Sequence, residues 1–307
     1  MKIAVIDLGT NTFNLLIVKV NSDKTYSTIF QTKISVKLAE GGMNKGFIAD
    51  VAFNRGIEAF KTHYSTTQKY QVDKIYAFAT SAIRGASNGQ EFVESVRNET
   101  GINVQVISGD REAELIYYGV RSAVKMTEET SLIIDIGGGS TEFIIANKNQ
   151  IFWKQSFLLG AARLLEMFPP SDPITDKEID VFNNHLNNEL QPLFEAYTKY
   201  PVCELIGSSG SFDSLAEMIA HRFYTPDILD NAKEFTFDLG NCEEIYNSII
   251  KSTNVERLHM KGLVAMRVDM IVVSSIIVNF VISSFEIERM RLSTYSLKEG
   301  VIYEVLK

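Results

Sequence analysis

Cysteine and proline are scarce in this sequence, with two of the first and six of the second among 307 residues. Cys203 and Cys242 cannot build a disulfide framework and show no metal-ligand spacing, so both read as structural thiols in a reducing compartment. So few prolines, with no low-complexity stretch, exclude a collagen-like or largely disordered chain. Long apolar runs are also missing. The most apolar stretch, Met270 to Phe285, is shorter than a membrane span, contains Ser274, Ser275 and Asn279, and reads as a buried core helix. The N-terminus turns acidic at Asp7, too soon for the apolar core of a signal peptide, so a cytoplasmic location is expected. Nor is there an excess of positive charge. Thirty Lys and Arg against 38 Asp and Glu leave a formal charge of −8. That balance argues against a protein that coats nucleic acid or an anionic membrane, and any polyanionic ligand must be met locally, by a basic channel or a metal.

What is present is an alternation of strand and helix patterns over a length that suits two domains. Lys2–Asp7, Phe13–Val20 and Tyr26–Lys37 read as a strand meander, followed by a helix over Ala49–Tyr64 and a strand at Lys74–Ala79. A helix over Gln90–Glu99, a strand at Asn103–Ile107 and a helix over Arg111–Lys125 complete a first domain, 1–125. Ser131–Ile136, Phe143–Ala146 and Ile151–Phe157 then open a second, 126–307, with helices expected at Ala161–Met167 and as one long segment across Asp176–Tyr197. A strand at Cys203–Ile206 leads into another small-residue turn. The segment Asp7-Leu-Gly-Thr-Asn-Thr is matched by Asp135-Ile-Gly-Gly-Gly-Ser-Thr-Glu: each is strand, Asp-x-Gly, small polar turn, strand. Two hairpins of one design imply two related domains facing each other.

Glycine-rich turns let backbone N–H groups approach an anion with no Cβ in the way, and phosphate is the anion they suit best. One Asp-x-Gly turn closes many ordinary hairpins; a matched pair with a third turn at Gly207-Ser208-Ser209-Gly210-Ser211 is a stronger signal. Carboxylates at the strand ends, Asp7, Asp135 and Glu142, would repel phosphate unless a hard cation such as Mg²⁺ bridged them. The four histidines, His63, His185, His221 and His259, have no metal-ligand spacing. Arg257, His259, Lys261 and Arg267 gather charge in one segment and could line a channel for a polyanion.

These blocks, with Ala79-Thr-Ser-Ala-Ile-Arg84, Ile107-Ser-Gly-Asp-Arg-Glu-Ala113, Arg267-Val-Asp269 and Leu297-Lys-Glu-Gly-Val-Ile-Tyr-Glu304, make the chain resemble the exopolyphosphatase and guanosine pentaphosphate phosphohydrolase family. That family sits within the actin-like, sugar-kinase and Hsp70 ATPase superfold, and the resemblance runs over nearly the whole chain. It implies an α/β fold of two actin-like (ribonuclease H-like) domains with a cleft between them, the last helix packing back on the first domain. Longer family members carry extra C-terminal domains, so the short form is expected. The implied activity is hydrolysis of the terminal phosphoanhydride of inorganic polyphosphate, or of pppGpp, with Mg²⁺ as cofactor. Glu112 is the implied general base. Phosphate oxygens would be held by Gly9, Thr10 and Asn11, by Gly137, Gly138, Gly139, Ser140 and Thr141, by Gly207, Ser208, Ser209 and Gly210, and by Arg84 and Arg267, with Asp135, Glu142 and Asp7 at the metal. Three positions depart from the family pattern: Asn14 stands where histidine is usual, Arg111 where glutamate is, and Glu114 where arginine is. An ATP-dependent kinase of the same superfold and a non-enzymatic nucleotide-sensing module are the other readings, and assembly as a homodimer is left open.

Overall fold

The computed structural model describes residues 1–307. Strands β1 (Lys2–Leu8), β2 (Thr12–Val20) and β3 (Tyr26–Ser35) form the expected meander. After helix α1 (Asp50–Lys69) come β4 (Lys74–Ala79), the short α2 (Ser81–Gly85), α3 (Gly89–Thr100), β5 (Val104–Val106) and α4 (Gly109–Ala123). The second run opens with β6 (Ser131–Ile136), β7 (Thr141–Ala146) and β8 (Ile151–Phe157), then α5 (Ala161–Met167), α6 (Asp176–Glu189) and α7 (Gln191–Lys199). It continues through β9 (Glu204–Ser208), α8 (Ser209–Phe223), β10 (Glu234–Phe237), α9 (Leu239–Ile250), α10 (Asn254–Arg257), α11 (Ile271–Ser284), β11 (Arg289–Ser293) and α12 (Leu297–Leu306). The long helix expected across Asp176–Tyr197 is two helices that meet at Leu190, because Pro192 lacks the N–H that would continue the ladder and is tolerated only in a first turn. No helix is long and apolar enough to cross a membrane.

The two sheets repeat one topology. The first has the order β3-β2-β1-β4-β5, the second β8-β7-β6-β9-β11-β10 when read from the corresponding edge. In each, an antiparallel hairpin is followed by a parallel partner reached through a crossover: β1 pairs antiparallel with β2 and parallel with β4, as β6 does with β7 and β9. Two mixed sheets of this order are the actin-like α/β architecture.

Packing explains the hydrophobic patterns. One face of the first sheet lies under α1 and α3, with Phe13, Phe60 and Phe92 at its centre. The outer face of the second sheet is covered by α6, α7, α8, α9 and α11, and α11 is buried nearly all round, as its uninterrupted apolar composition requires. Between the sheets sit α4 and α12, sharing a core with Ile3 and Val5 of β1 and Ile133 and Ile206 of the second sheet. These helices cross with their backbones in contact. A Cβ on Gly119 would strike the Ser296 carbonyl, and one on Gly300 the Leu115 carbonyl, so glycine at both positions permits the crossing. The start of α12 is fixed by a capping box in which Ser296 and Glu299 satisfy each other's backbone. That box holds Lys298 and Ser296 at the ends of the sheets, where the two hairpin turns also lie.

Candidate active site

The two Asp-x-Gly turns have the same internal geometry. Gly9 N donates to the Thr12 carbonyl at 3.2 Å and Gly137 N to the Ser140 carbonyl at 3.0 Å. A Cβ on either glycine would lie 2.9 Å from that carbonyl oxygen, closer than a side chain allows. The turns also abut each other, since a Cβ on Gly138 would fall 3.1 Å from the Thr10 side chain. Both flank a cavity of about 500 Å³ that draws on both halves of the chain. Its wall includes Asp7, Gly9, Thr10, Asn11, Glu112, Asp135, Gly137, Gly138, Gly139, Ser140, Ser209, Gly210 and Arg267. Three buried donors on this wall have no partner: Asn11 Nδ2, Ser81 Oγ and Arg267 Nε. Unpartnered buried donors are costly, and their convergence beside two glycine turns fits an anion as the missing acceptor.

Glu112 stands in the first turn of α4, whose N-cap Ser108 accepts from Arg111 N, and it is 8% exposed. Arg84 Nη1 donates both to Glu112 Oε2 and to the Ile107 carbonyl, each at 2.9 Å. Burial, then the neighbouring Glu142 charge, push the Glu112 carboxyl well above the usual carboxylate range, against the opposing pull of Arg84. Glu142 accepts from Ser156 Oγ at 2.6 Å, and burial followed by the charge of Asp135 pushes it up to about 7. Gly109 admits this arrangement, because any Cβ there would strike Ser156. Asp135 accepts from Ser208 Oγ at 2.7 Å and from Ser296 Oγ. Asp7 accepts from Asn14 Nδ2 at 2.9 Å, and burial raises it to about 6 although Lys298 pulls the other way.

Not every expected residue reaches the cavity. Arg84 is engaged by Glu112, Thr141 Oγ1 donates to the Leu159 carbonyl, and Glu142 is buried opposite Asp135 across the β6–β7 ladder, off the cavity wall. Gly207 makes room for the Phe212 ring, and Ser208 is turned to Asp135. The polyanion channel proposed around Arg257 is corrected by its burial: at 6% exposure, Arg257 donates to Asp172 Oδ1 at 2.9 Å and to the Ser252 and Val268 carbonyls. A guanidinium closed in by that many acceptors is a structural pin for the α10 segment. Arg111 and Glu114, the departures from the family pattern, pair with each other at 2.8 Å, and Arg111 also pairs with Glu304 of α12, away from Glu112.

Sequence reasoning missed Asn14, Lys33, Asp213, Ser296, Lys298 and Glu299 on the cavity wall. Ser296 to Glu299 lay at or within the C-terminal block and could have been found there; Lys33 and Asp213 carried no local signal. As for a metal, no three acidic or imidazole side chains cluster tightly enough to hold an ion alone. Mg²⁺ needs fewer, because it is commonly held by one or two carboxylates with waters and substrate phosphates, and mutually repelling buried carboxylates fit that chemistry.

Fold and cavity together define an actin-like protein with a polar, anion-suited cavity bordered by the hairpin turns of both sheets. The chain belongs to the Ppx/GppA phosphatase family, whose profile matches residues 16–307. A crystal structure of an exopolyphosphatase from Cytophaga hutchinsonii shares 39% sequence identity and a TM-score of 0.97, covering 100% of this chain and 98% of that one. Exopolyphosphatase 1 of Mycobacterium tuberculosis is 26% identical over 307 residues, 100% of this chain and 88% of that protein. A guanosine-5'-triphosphate,3'-diphosphate pyrophosphatase of Photobacterium profundum is 27% identical over 303 residues, 99% of this chain but 59% of its own length.

Proposed function

We propose that the chain hydrolyses the terminal phosphoanhydride of inorganic polyphosphate in the cytoplasm, releasing inorganic phosphate, in a cleft between domains 1–125 and 126–307. The observation that carries this reading is the convergence, in one cavity, of two glycine turns, three unpartnered buried donors and the buried carboxylate of Glu112. The turns and the Asn11, Ser81 and Arg267 donors would hold the terminal phosphate oxygens. Glu112 takes a proton from a water placed against the terminal phosphorus. A new P–O bond forms as the bond to the bridging oxygen breaks, and the shortened chain leaves with that electron pair. A carboxyl raised by burial is a stronger base than a solvated one, and Arg84 keeps it aimed and favours its charged form. In-line transfer needs positioning and charge neutralisation more than covalent help. Asp135 and Asp7, with the buried Glu142 opposite Asp135, would hold a divalent cation such as Mg²⁺, which would neutralise phosphate charge.

The Photobacterium relative supports a second substrate, pppGpp, for the same machinery. Phosphate release from long polyphosphate, pppGpp and ATP, side by side with and without Mg²⁺, tests the reading. Release from polyphosphate that needs the cation supports it, and preferential release from pppGpp selects the second substrate. Transfer to an acceptor from ATP, or no release from any of the three, overturns both.

A further inference from the structure

Behind the second hairpin turn stands an arginine with no part in the chemistry above. The turn presents three successive carbonyls to the start of α5. Ala161 N donates to the Gly137 carbonyl at 2.9 Å, Arg163 N to that of Gly138 at 3.0 Å, and Arg163 Nε to that of Gly139 at 2.9 Å. Gly160 lets α5 come this close, because a Cβ there would lie 2.4 Å from backbone atoms of Gly138 and Gly139. In a planar trans peptide the carbonyl of one residue and the N–H of the next point in opposite directions. Drawing the three carbonyls back to α5 therefore turns the N–H groups of Gly138, Gly139 and Ser140 the other way. Those three residues line the cavity and Arg163 does not, so the other way is the cavity side. None of the three N–H groups finds an acceptor within the protein.

The first turn is held in the same manner, with one difference. Its Thr10 carbonyl accepts from Leu38 N and its Asn11 carbonyl from Val36 N, each at 2.8 Å, and both donors are backbone. Gly139 stands where Asn11 does in the first turn, yet its carbonyl depends on a side chain. Arg163 is half-buried and pairs with no carboxylate; the bond to Gly139 is its one side-chain hydrogen bond.

We propose that Arg163 is a positioning residue: by fixing the Gly139 carbonyl from behind, it sets the Gly139–Ser140 peptide so that the Ser140 N–H faces the phosphate in the turn. The proposal rests on the reading that this turn holds phosphate, and Arg163 itself touches no substrate atom. The bonds from Ala161 N and Arg163 N are backbone bonds and survive a change of the Arg163 side chain. The Gly138 and Gly139 N–H groups therefore keep their direction in any such variant. The effect of the guanidinium falls on one peptide, which separates positioning from general support of the turn.

Titration with inorganic phosphate at fixed free Mg²⁺, followed by NMR through the backbone amide resonances of Gly138, Gly139 and Ser140, tests it. In the unmutated protein all three should shift. Arg163→Met keeps the apolar stem and removes the donor. In that variant the Ser140 shift at saturation should fall by about half or more, since hydrogen bonds weaken steeply with misalignment, while Gly138 and Gly139 still move. The phosphate Kd should rise about fivefold, as partial loss of one hydrogen bond to a charged group implies. Arg163→Lys, which restores a cationic donor on a flexible stem, should recover most of both effects. The melting temperature of Arg163→Met should fall by no more than about 4 °C. An undiminished Ser140 shift in Arg163→Met, equal loss at all three amides, or no shift in the unmutated protein overturns the proposal. Failure of Arg163→Met to fold would make the arginine a structural support and overturn it too. Phosphate release from polyphosphate by the unmutated protein is measured alongside. The expected amide pattern without hydrolysis leaves the positioning role standing and removes the hydrolase reading; hydrolysis with an undiminished Ser140 shift in Arg163→Met does the reverse.

Discussion

In the first hairpin Asp7 faces Asn14 across the β1–β2 ladder, and in the second Asp135 faces Glu142 across β6–β7. The two positions are equivalent in register and in turn geometry, yet the first holds a donor that bonds its aspartate at 2.9 Å and the second a like charge. Like charges directly opposite in a ladder are destabilising. The second hairpin offsets this by giving each carboxylate its own hydroxyl donor, Ser208 and Ser296 to Asp135 and Ser156 to Glu142. A fold that spends three serines on holding two buried carboxylates together keeps them for a purpose other than stability, and the second hairpin is where the cation-dependent chemistry is expected to concentrate.

The largest expected effect falls on the residue that both hairpins influence. Glu142 and Asp7 each raise the Glu112 carboxyl. Glu112→Gln keeps the size and removes the base, so turnover on polyphosphate should fall by roughly 10²- to 10⁴-fold with Kd nearly unchanged. Near-normal turnover in a folded variant would place the base elsewhere.

Asymmetry between the hairpins should show next in the cation requirement. Asp135→Asn and Glu142→Gln each remove a hard oxygen anion, and the Mg²⁺ concentration for half-maximal phosphate release should rise by about 10-fold. Asn14→Ala, in the equivalent place of the first hairpin, should shift it by less than about twofold by the same bookkeeping. Equal shifts in all three would erase the distinction.

The stability of the metal-free protein gives a third and smaller contrast. Folding raises Glu142 from 4.5 to about 7 and Asp7 from 3.8 to about 6. Each therefore binds its proton more tightly when folded. Below the unfolded values both states are protonated and the carboxyls cost nothing; as pH rises through the folded values the folded state alone carries the penalty of a buried charge. Melting temperature should fall between pH 5 and 8, more through Glu142 than Asp7. Glu142→Gln should recover on the order of 1–3 kcal/mol at pH 8 and little at pH 4.5. A melting temperature that instead rises over this range in Glu142→Gln and the unmutated protein alike would mean other groups dominate.

The smallest effect comes from converting the first hairpin into a copy of the second. Asn14→Asp places a carboxylate opposite Asp7 without the serine donors, and should destabilise the fold by about 1 kcal/mol at pH 8, read by urea denaturation. No change would mean that solvent reaches this pair more freely than the second.

Much of this was legible in the chain itself. The two Asp-x-Gly hairpins, the alternation of strand and helix, and the buried character of Met270–Phe285 follow from turn chemistry and hydrophobic period, which act over a few residues and survive in any context. The break at Leu190 was missed although Pro192 marks it, because the apolar spacing on either side runs on as if through one helix. The strands β10 and β11 were missed: they are short, and β11 inserts beside β9 from a distant stretch of sequence.

Side-chain roles divide along the same line. Asp7 and Asp135 could be singled out as carboxylates at strand ends and Glu112 only through the family resemblance; the structure places all three on the cavity wall. Arg257 and Arg267 stand ten residues apart in a segment of similar charge, and nothing local separates them. Only packing turns Arg257 inward to Asp172 and leaves Arg267 against Gly210 with an unpartnered Nε. Lys33, Asp213 and Lys298 meet only because α4 and α12 hold the two sheets face to face. The sequence alone determined most of the elements and the two Asp-x-Gly turns, since both depend on neighbours in the chain; which charges face one another across the cavity was decided by tertiary structure, because electrostatic partners are chosen by distance in space.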